Sequence, residues 1–409
     1  MRTVDAAGLE IGDGHPPRIM GVLNLSPESP YDPSVFDDPD EAAAYVDAEL
    51  IGEGADIVDV GLESANKRFE VLSAEEELER LDTAIEAIES VSGDAVFSIE
   101  TRYHEVADEA IARGFEMVND ICGFADPEMP RVCADHDVAV AKMASPPDLE
   151  RPGAIKEVDD IYDALSLNGF TDKTLVDPAF GGWSEEKTLA DDRETFRRLR
   201  EFRGLGYPIL VSINRKNFLR SIAGRSTEEA LPVSLAATSM AVERGAHVIR
   251  THDVAETRDA ALIGHEFARD RVRERDAGDV STEELDVTTP REAERHLDRL
   301  GVADAEAVST DSVVRVFELD SLSDADVGAL STAAAERGAT VVSGAAVDDG
   351  QSVLADGNGT PGAASHDEGT GRSVLLFGTV GALAGLDAAL TGGTDGLTAA
   401  LETIAEHLA

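Results

Sequence analysis

Lysine, cysteine and long apolar runs are all scarce in this 409-residue chain. Six lysines contribute to only 35 basic residues, which face 82 acidic ones, so the formal net charge is -47. Acid spread along the whole chain argues against nucleic acid as a ligand, and as a global solvation trait it says nothing about substrate. The charge far exceeds the magnitude of about 2 to 8 that keeps a small domain soluble. It predicts adaptation to a high-salt cytoplasm, where short-range screening suppresses self-repulsion, with unfolding at low salt as the corollary. Cys122 and Cys133 match no metal-binding spacing and cannot make a disulfide framework, so buried thiols are expected. The opening Met1-Arg-Thr-Val-Asp-Ala-Ala-Gly8 lacks an apolar signal core, and no run reaches the roughly 18 apolar residues of a membrane span. A soluble, cytoplasmic protein with no membrane partner is expected.

What the chain does have is repetition. Apolar strands alternate with amphipathic helices, the pattern that forces right-handed crossovers and a parallel sheet. Eight strands are predicted, at 19–25, 57–62, 95–100, 117–120, 138–143, 174–180, 209–213 and 248–252. The helix opening at Ser73 carries an N-cap with Glu76 at the capping-box position, and Leu78, Leu81, Ile85 and Ile88 form its inner stripe. A second helix is predicted from Ser226 to Arg244, stopped by Gly245. Eight units close a (β/α)8 TIM barrel more naturally than a doubly wound open sheet, and a barrel uses about 250 residues.

The remainder of the chain makes a smaller α+β domain. The predicted division is a barrel over 1–270, an acidic linker with a helical segment over 271–310, and an accessory domain over 311–409. In the last of these Gly357-Asn-Gly-Thr-Pro-Gly362 matches G-x-G-x-x-G, yet Pro361 and the lack of a following helix deny it the setting of a dinucleotide site.

Polar residues fall at the strand ends, where such barrels keep their active sites. They are Asn24, Glu100, Asn119-Asp120 and Asp177, with Arg250-Thr-His-Asp-Val254 closing the eighth strand. Asp177 in a barrel mouth needs a pair of donors, since an unpaired buried charge is costly; the bland reading is that it caps the next helix. Arg215 and Lys216 after the seventh strand, with Arg250 and His252 after the eighth, fall where these barrels usually bind phosphate.

These segments, taken together, resemble dihydropteroate synthase over about residues 19–267. Ile19-Met-Gly-Val-Leu-Asn-Leu-Ser-Pro-Glu-Ser29 is similar to that family's first signature and Gly54-Ala-Asp-Ile-Val-Asp-Val-Gly-Leu-Glu-Ser64 to its second. Val118-Asn-Asp-Ile-Cys-Gly123, Asp177-Pro-Ala-Phe-Gly181, Asn214-Arg-Lys-Asn-Phe218 and Arg250-Thr-His-Asp-Val254 follow in order. The resemblance implies condensation of 6-hydroxymethyl-7,8-dihydropterin diphosphate with 4-aminobenzoate in folate biosynthesis, on small-molecule substrates, with pairing of barrels into a homodimer. It implies that Asn24 orients a magnesium ion, that Asn119, Asp177 and Lys216 hold the pterin, and that Arg250 and His252 hold the diphosphate. Glu100 falls where the family has an aspartate against the pterin, which makes Lys216, Asp177 and Glu100 the candidate catalytic set. A pterin presents N3–H and its 2-amino group side by side, the donor pair that a carboxylate accepts.

The chain departs from the family in three places. After the second signature it reads Ser64-Ala-Asn-Lys-Arg68, without the Thr, Arg and Pro that shape the aminobenzoate side, so Lys67 or Arg68 is the candidate replacement cation. The first loop reads Glu28-Ser-Pro-Tyr-Asp-Pro33, and the fifth strand carries Ala141-Lys-Met-Ala144 where His-Met is usual. Two alternatives stay open: a pterin-dependent methyltransferase subunit, which handles a pterin without diphosphate, and a non-catalytic pterin-binding relative.

Overall fold

The computed structural model describes residues 1–26, 34–63, 71–149, 155–181, 187–272, 275–277, 280–343 and 371–408. The chain divides into two compact units, Met1–Asp286 and Val287–Ala409. The first opens with a hairpin, β1 (Val4–Ala6) and β2 (Leu9–Ile11), and continues with eight strands: β3 (Arg18–Asn24), β4 (Ile57–Gly61), β5 (Val96–Thr101), β6 (Met117–Asp120), β7 (Ala139–Met143), β8 (Thr174–Asp177), β9 (Ile209–Ser212) and β10 (Ala246–Thr251). These eight pair in parallel and in sequence order, and β10 closes against β3. The result is a (β/α)8 barrel.

A strand's two-residue period explains how the barrel is both packed and functional. Met20, Ile57, Val96, Met117, Ala139, Ala141, Leu175, Leu210 and Val248 form the apolar filling inside the barrel, and Val4, Ala6 and Ile11 of the hairpin join the same cluster. Each step of two residues toward the mouth keeps the same inward face, which turns Ile57 into Asp59, Leu175 into Asp177 and Val248 into Arg250. The alternate residues Val58, Val60, Ile99, Val118, Val140, Val176 and Val211 face outward into the layer under the helices.

The helix Ala74–Ser90 starts on the predicted capping box, with Ser73 Oγ accepting from Glu76 N and Glu76 accepting from Ser73 N. The helix predicted from Ser226 begins instead at Leu231, with Pro232 in its first turn, where a missing N–H costs nothing. Gly245 after it has φ +99°, the left-handed backbone of a helix stop. The hairpin escaped the sequence reading because its strands are three residues each; Ala7 and Gly8 at its turn both have positive φ, as a two-residue connection demands. Past the hairpin, Asp13 accepts from both terminal nitrogens of Arg203, at 3.1 and 2.6 Å, and lies 3.0 Å from His247 Nε2. This ties the entry segment to the short helix Leu199–Leu205 and to the closing strand β10. A short hairpin, β11 (Arg275–Ala277) with β12 (Val280–Thr282), also belongs to the first unit.

In the second unit β13 (Val314–Leu322), β15 (Arg372–Thr379) and β14 (Thr340–Ser343) form an antiparallel sheet in that order. Helix Asp324–Arg337 is capped by Ser323 with Asp326, and Leu319, Leu330, Val374, Leu376, Leu397 and Leu401 are among its core. The Gly357–Gly362 segment lies outside the described residues. Among the described residues no helix is long and apolar enough to cross a membrane.

Candidate functional site

One cleft at the carboxyl ends of the strands gathers five of the candidate residues: Glu100, Asn119, Asp177, Lys216 and Arg250. It encloses about 410 Å³, counting its solvent-open mouth, and Ile121, Met143, Ala179 and Phe180 give it apolar walls. Phe124, Ala179 and Arg215, in the loops after β6, β8 and β9, all have positive φ, a conformation that non-glycine residues adopt at a cost of about 1–3 kcal/mol and keep where the surrounding structure over-determines it.

Asp59 is the node of the cleft floor, and the sequence reading passed over it. Its fully buried carboxylate accepts from Ser98 Oγ at 2.8 Å, Asn119 Nδ2 at 2.9 Å and Arg250 Nε at 2.7 Å. The signal was present, since an aspartate inside the apolar run Ile57-Val-Asp-Val-Gly61 must find donors within the fold. Because the Asn119 amide nitrogen is spent on Asp59, its carbonyl oxygen is the end left to face a ligand. Arg250 reaches a second carboxylate through Nη2, which donates to Glu100 Oε2 at 2.7 Å.

Asp177 is buried, and its Oδ1 accepts from Ala179 N at 2.8 Å in the turn that ends β8. Burial raises its pKa to about 6, opposed by that hydrogen bond and by the charges of Lys216, Arg250 and Lys187. Burial likewise lifts Glu100 to about 6 against the pull of Arg250. Lys216 is lowered to about 8 by burial, partly offset by Asp177. Its ammonium lies against Gly181, where a Cβ would come within 3.1 Å of Nζ; Gly181 also has φ +108°, so any side chain there would be strained and would crowd Lys216.

Asn24 and His252 meet beside this cleft through Ser34, a second residue the sequence reading missed. Asn24 Nδ2 donates to Ser34 Oγ at 2.8 Å, and Ser34 Oγ lies 3.2 Å from His252 Nδ1. Burial and the nearby Arg250 charge depress His252 to about 3, so it enters as a neutral imidazole. A Cβ on Gly61 would sit 3.4 Å from Asn24 Oδ1 and 3.9 Å from Glu100 Oε1. The missing side chain thus leaves a space bordered by three oxygen atoms, the third being the Glu63 carbonyl oxygen at 3.9 Å.

Of the two cations expected after the seventh strand, Lys216 alone lines the cleft. Arg215 is spent on structure: its Nε and Nη2 each donate to Asp253 at 2.8 Å, and Nη1 donates to the Thr227 and Glu228 carbonyls. The altered fifth strand also leaves the cleft intact. Lys142 faces outward, where its ammonium donates to the carbonyls of Leu165, Leu167 and Gly169 and lies 4.7 Å from the Phe124 ring, while Met143 keeps the cleft wall. Lys67 and Arg68 lie outside the described residues.

The pKa of Asp177 gives the site a pH dependence. Binding of any ligand that needs the ionised carboxylate weakens as pH falls through about 6, by up to about tenfold per unit for one proton, and more steeply if Glu100 takes up a second. A folded-state pKa raised above the unfolded value means that protonating Asp177 contributes stability as pH falls from 6 toward 4, so this group's loss of binding is not unfolding. Titration with the site's ligand at pH 5 and pH 8 checks this, with stability followed in parallel; equal affinities would remove Asp177 from the ligand contacts.

A family model described as "Pterin binding enzyme" matches residues 20–252. The chain is 32% identical over 244 residues to a dihydropteroate synthase of Bacillus subtilis, covering 58% of this chain and 84% of that protein. It is 34% identical over 250 residues to a probable bifunctional folylpolyglutamate synthase/dihydropteroate synthase of Haloferax volcanii, covering 58% of this chain and 29% of that one. Among solved structures, the Xanthomonas albilineans dihydropteroate synthase with 4-aminobenzoic acid superposes with a TM-score of 0.55 at 31% identity, covering 64% of this chain and 96% of that chain.

Proposed function

The chain belongs to the pterin-binding enzyme family, and from that premise we propose that it is a dihydropteroate synthase, a transferase that joins 6-hydroxymethyl-7,8-dihydropterin diphosphate to 4-aminobenzoate. The observation that carries this reading is the pairing of a buried carboxylate, Asp177, with Lys216 and Arg250 in one cleft. Asp177 accepts the ring's N3–H and 2-amino donors, and the Asn119 carbonyl oxygen takes a further ring donor. Lys216 lies over the ring edge beside Asp177. Arg250 and His252 hold the diphosphate, the first by charge and the second by hydrogen bonding.

The reaction follows from that placement. The bond between the pterin methylene carbon and the diphosphate oxygen lengthens first, and its electron pair leaves with the diphosphate. Arg250 stabilises the departing charge. The positive charge left on the methylene is spread through the pterin, where Asp177 and Glu100 stabilise it. The arylamine nitrogen then forms the new C–N bond and loses its proton to solvent. No side-chain nucleophile takes part.

A magnesium ion fits the donor set: Asn24 keeps its amide nitrogen on Ser34, so Oδ1, beside the side-chain-free Gly61, is a hard oxygen ligand of the kind magnesium prefers. When bound, the ion neutralises diphosphate charge. We read the protein as a cytoplasmic, salt-adapted homodimer, and residues 311–409 as a small α+β accessory domain. Titration separates this reading from a methyltransferase subunit: a synthase binds the pterin diphosphate more tightly than a methylated, diphosphate-free pterin, and the reverse order would favour the methyltransferase.

By the family resemblance, Lys67 or Arg68, both outside the described residues, is the candidate replacement cation for the arylamine. Replacing both by alanine is expected to raise the KM for 4-aminobenzoate while pterin diphosphate binding stays nearly unchanged, because the two substrates occupy different depths of the mouth. Steady-state kinetics checks this, and wild-type constants in the double variant would rule out these two as the replacement cation.

A further inference from the structure

Arg250 is held at two points by carboxylates that differ in how firmly they are built in. Asp59 is fully buried, and three donors from three other barrel strands hold it in place: Ser98 of β5, Asn119 of β6 and the Arg250 Nε of β10. Glu100 lines the open cleft with a side chain 13% exposed, and its hydrogen bond among the described residues is with Arg250 Nη2. Glu100 is also one methylene longer than the aspartate that the family resemblance leads one to expect there, which gives it added reach toward the guanidinium.

We propose that Asp59 is the fixed hinge and Glu100 the releasable latch of Arg250, so that a diphosphate takes the Nη2 end of the guanidinium and the freed Glu100 carboxylate turns to the pterin ring. The inference rests on the functional reading above, which gives Arg250 to the diphosphate and Glu100 to the ring, and it adds that the two contacts are coupled. Before ligand arrives the two groups satisfy each other, so the floor is not left with unpaired charges. A ligand carrying both ring and diphosphate separates the pair and satisfies each partner, whereas a ring alone must compete with Arg250 for Glu100. Asp59 and Glu100 are positioning residues in this scheme: one keeps Arg250 in place throughout, the other determines when its terminal nitrogen is available.

The coupling is measurable as a difference of affinities. A diphosphate-free pterin is titrated into the full-length protein in molar salt with magnesium, with and without saturating inorganic diphosphate. Wild type should bind the pterin about five- to tenfold more tightly when diphosphate is present, and Glu100→Gln should abolish that gain. Should Glu100→Gln fail to fold, Glu100→Asp, which withdraws the carboxylate from Arg250, should abolish it as well. Binding of both ligands to wild type without coupling overturns the latch while leaving the synthase reading intact. Full coupling that survives in the variant also overturns it, because the communication then runs through direct contact of the two ligands. A wild type that binds no diphosphate contradicts both readings.

Discussion

Asp177→Asn is expected to abolish measurable binding of the pterin ring in a protein that still folds. Asp177 is only 5% exposed, and one of its oxygens already accepts from Ala179 N. An asparagine must point its NH2 either at that backbone donor or at the donors of the ring, so a donor meets a donor in either rotamer. A buried mismatch costs about 1–3 kcal/mol per group left unsatisfied, and the N3–H and 2-amino pair can present two. The expected loss is therefore on the order of a hundredfold or more. Isothermal titration at pH 8, where the wild-type carboxylate is ionised, measures it; unchanged affinity in a folded variant would place the ring elsewhere.

Arg250→Ala should weaken the pterin diphosphate by about a hundredfold or more without weakening the diphosphate-free pterin, since the guanidinium matches phosphate oxygens. It should also cost stability, because Asp59 and Glu100 lose their shared partner, and removing one member of a buried ionic set costs about 3–5 kcal/mol. Arg250→Lys keeps the charge without the two-pronged geometry and serves where the alanine variant does not fold. Binding isotherms for the two ligands and a thermal melt check both effects. Equal losses for the two ligands would remove Arg250 from the diphosphate contacts and favour the methyltransferase alternative.

Much of this was legible before any coordinates, because strand and helix alternation and N-capping act locally. β6 falls on the predicted residues, and the capping box of Ser73 and Glu76 is formed as read. What the sequence concealed depends on facing and on distant partners. Asp59 was passed over as part of an apolar strand, although its place two residues before Gly61 and two after Ile57 puts it on the barrel's inner face. Arg215 and Lys216 are neighbours in sequence, yet the left-handed turn at Arg215 sends one guanidinium to Asp253 and leaves the ammonium at the cleft. Lys142 read as a change at the active site but lies on the outer face of β7, bonded to carbonyls around the end of a helix. His252 was placed at the phosphate site by its sequence position alone, which does not show that the cost of charging a buried imidazole beside Arg250 keeps it neutral.

The central claim is that this cleft condenses a pterin diphosphate with an arylamine, and turnover tests it most directly. The protein is mixed in molar salt with magnesium, 6-hydroxymethyl-7,8-dihydropterin diphosphate and 4-aminobenzoate, and both products are quantified. The account predicts one dihydropteroate for each diphosphate released, with release dependent on the arylamine and lost in Arg250→Ala. Tight binding of the pterin diphosphate with no condensation to 4-aminobenzoate or any other arylamine would contradict it and leave a pterin-binding protein without synthase activity.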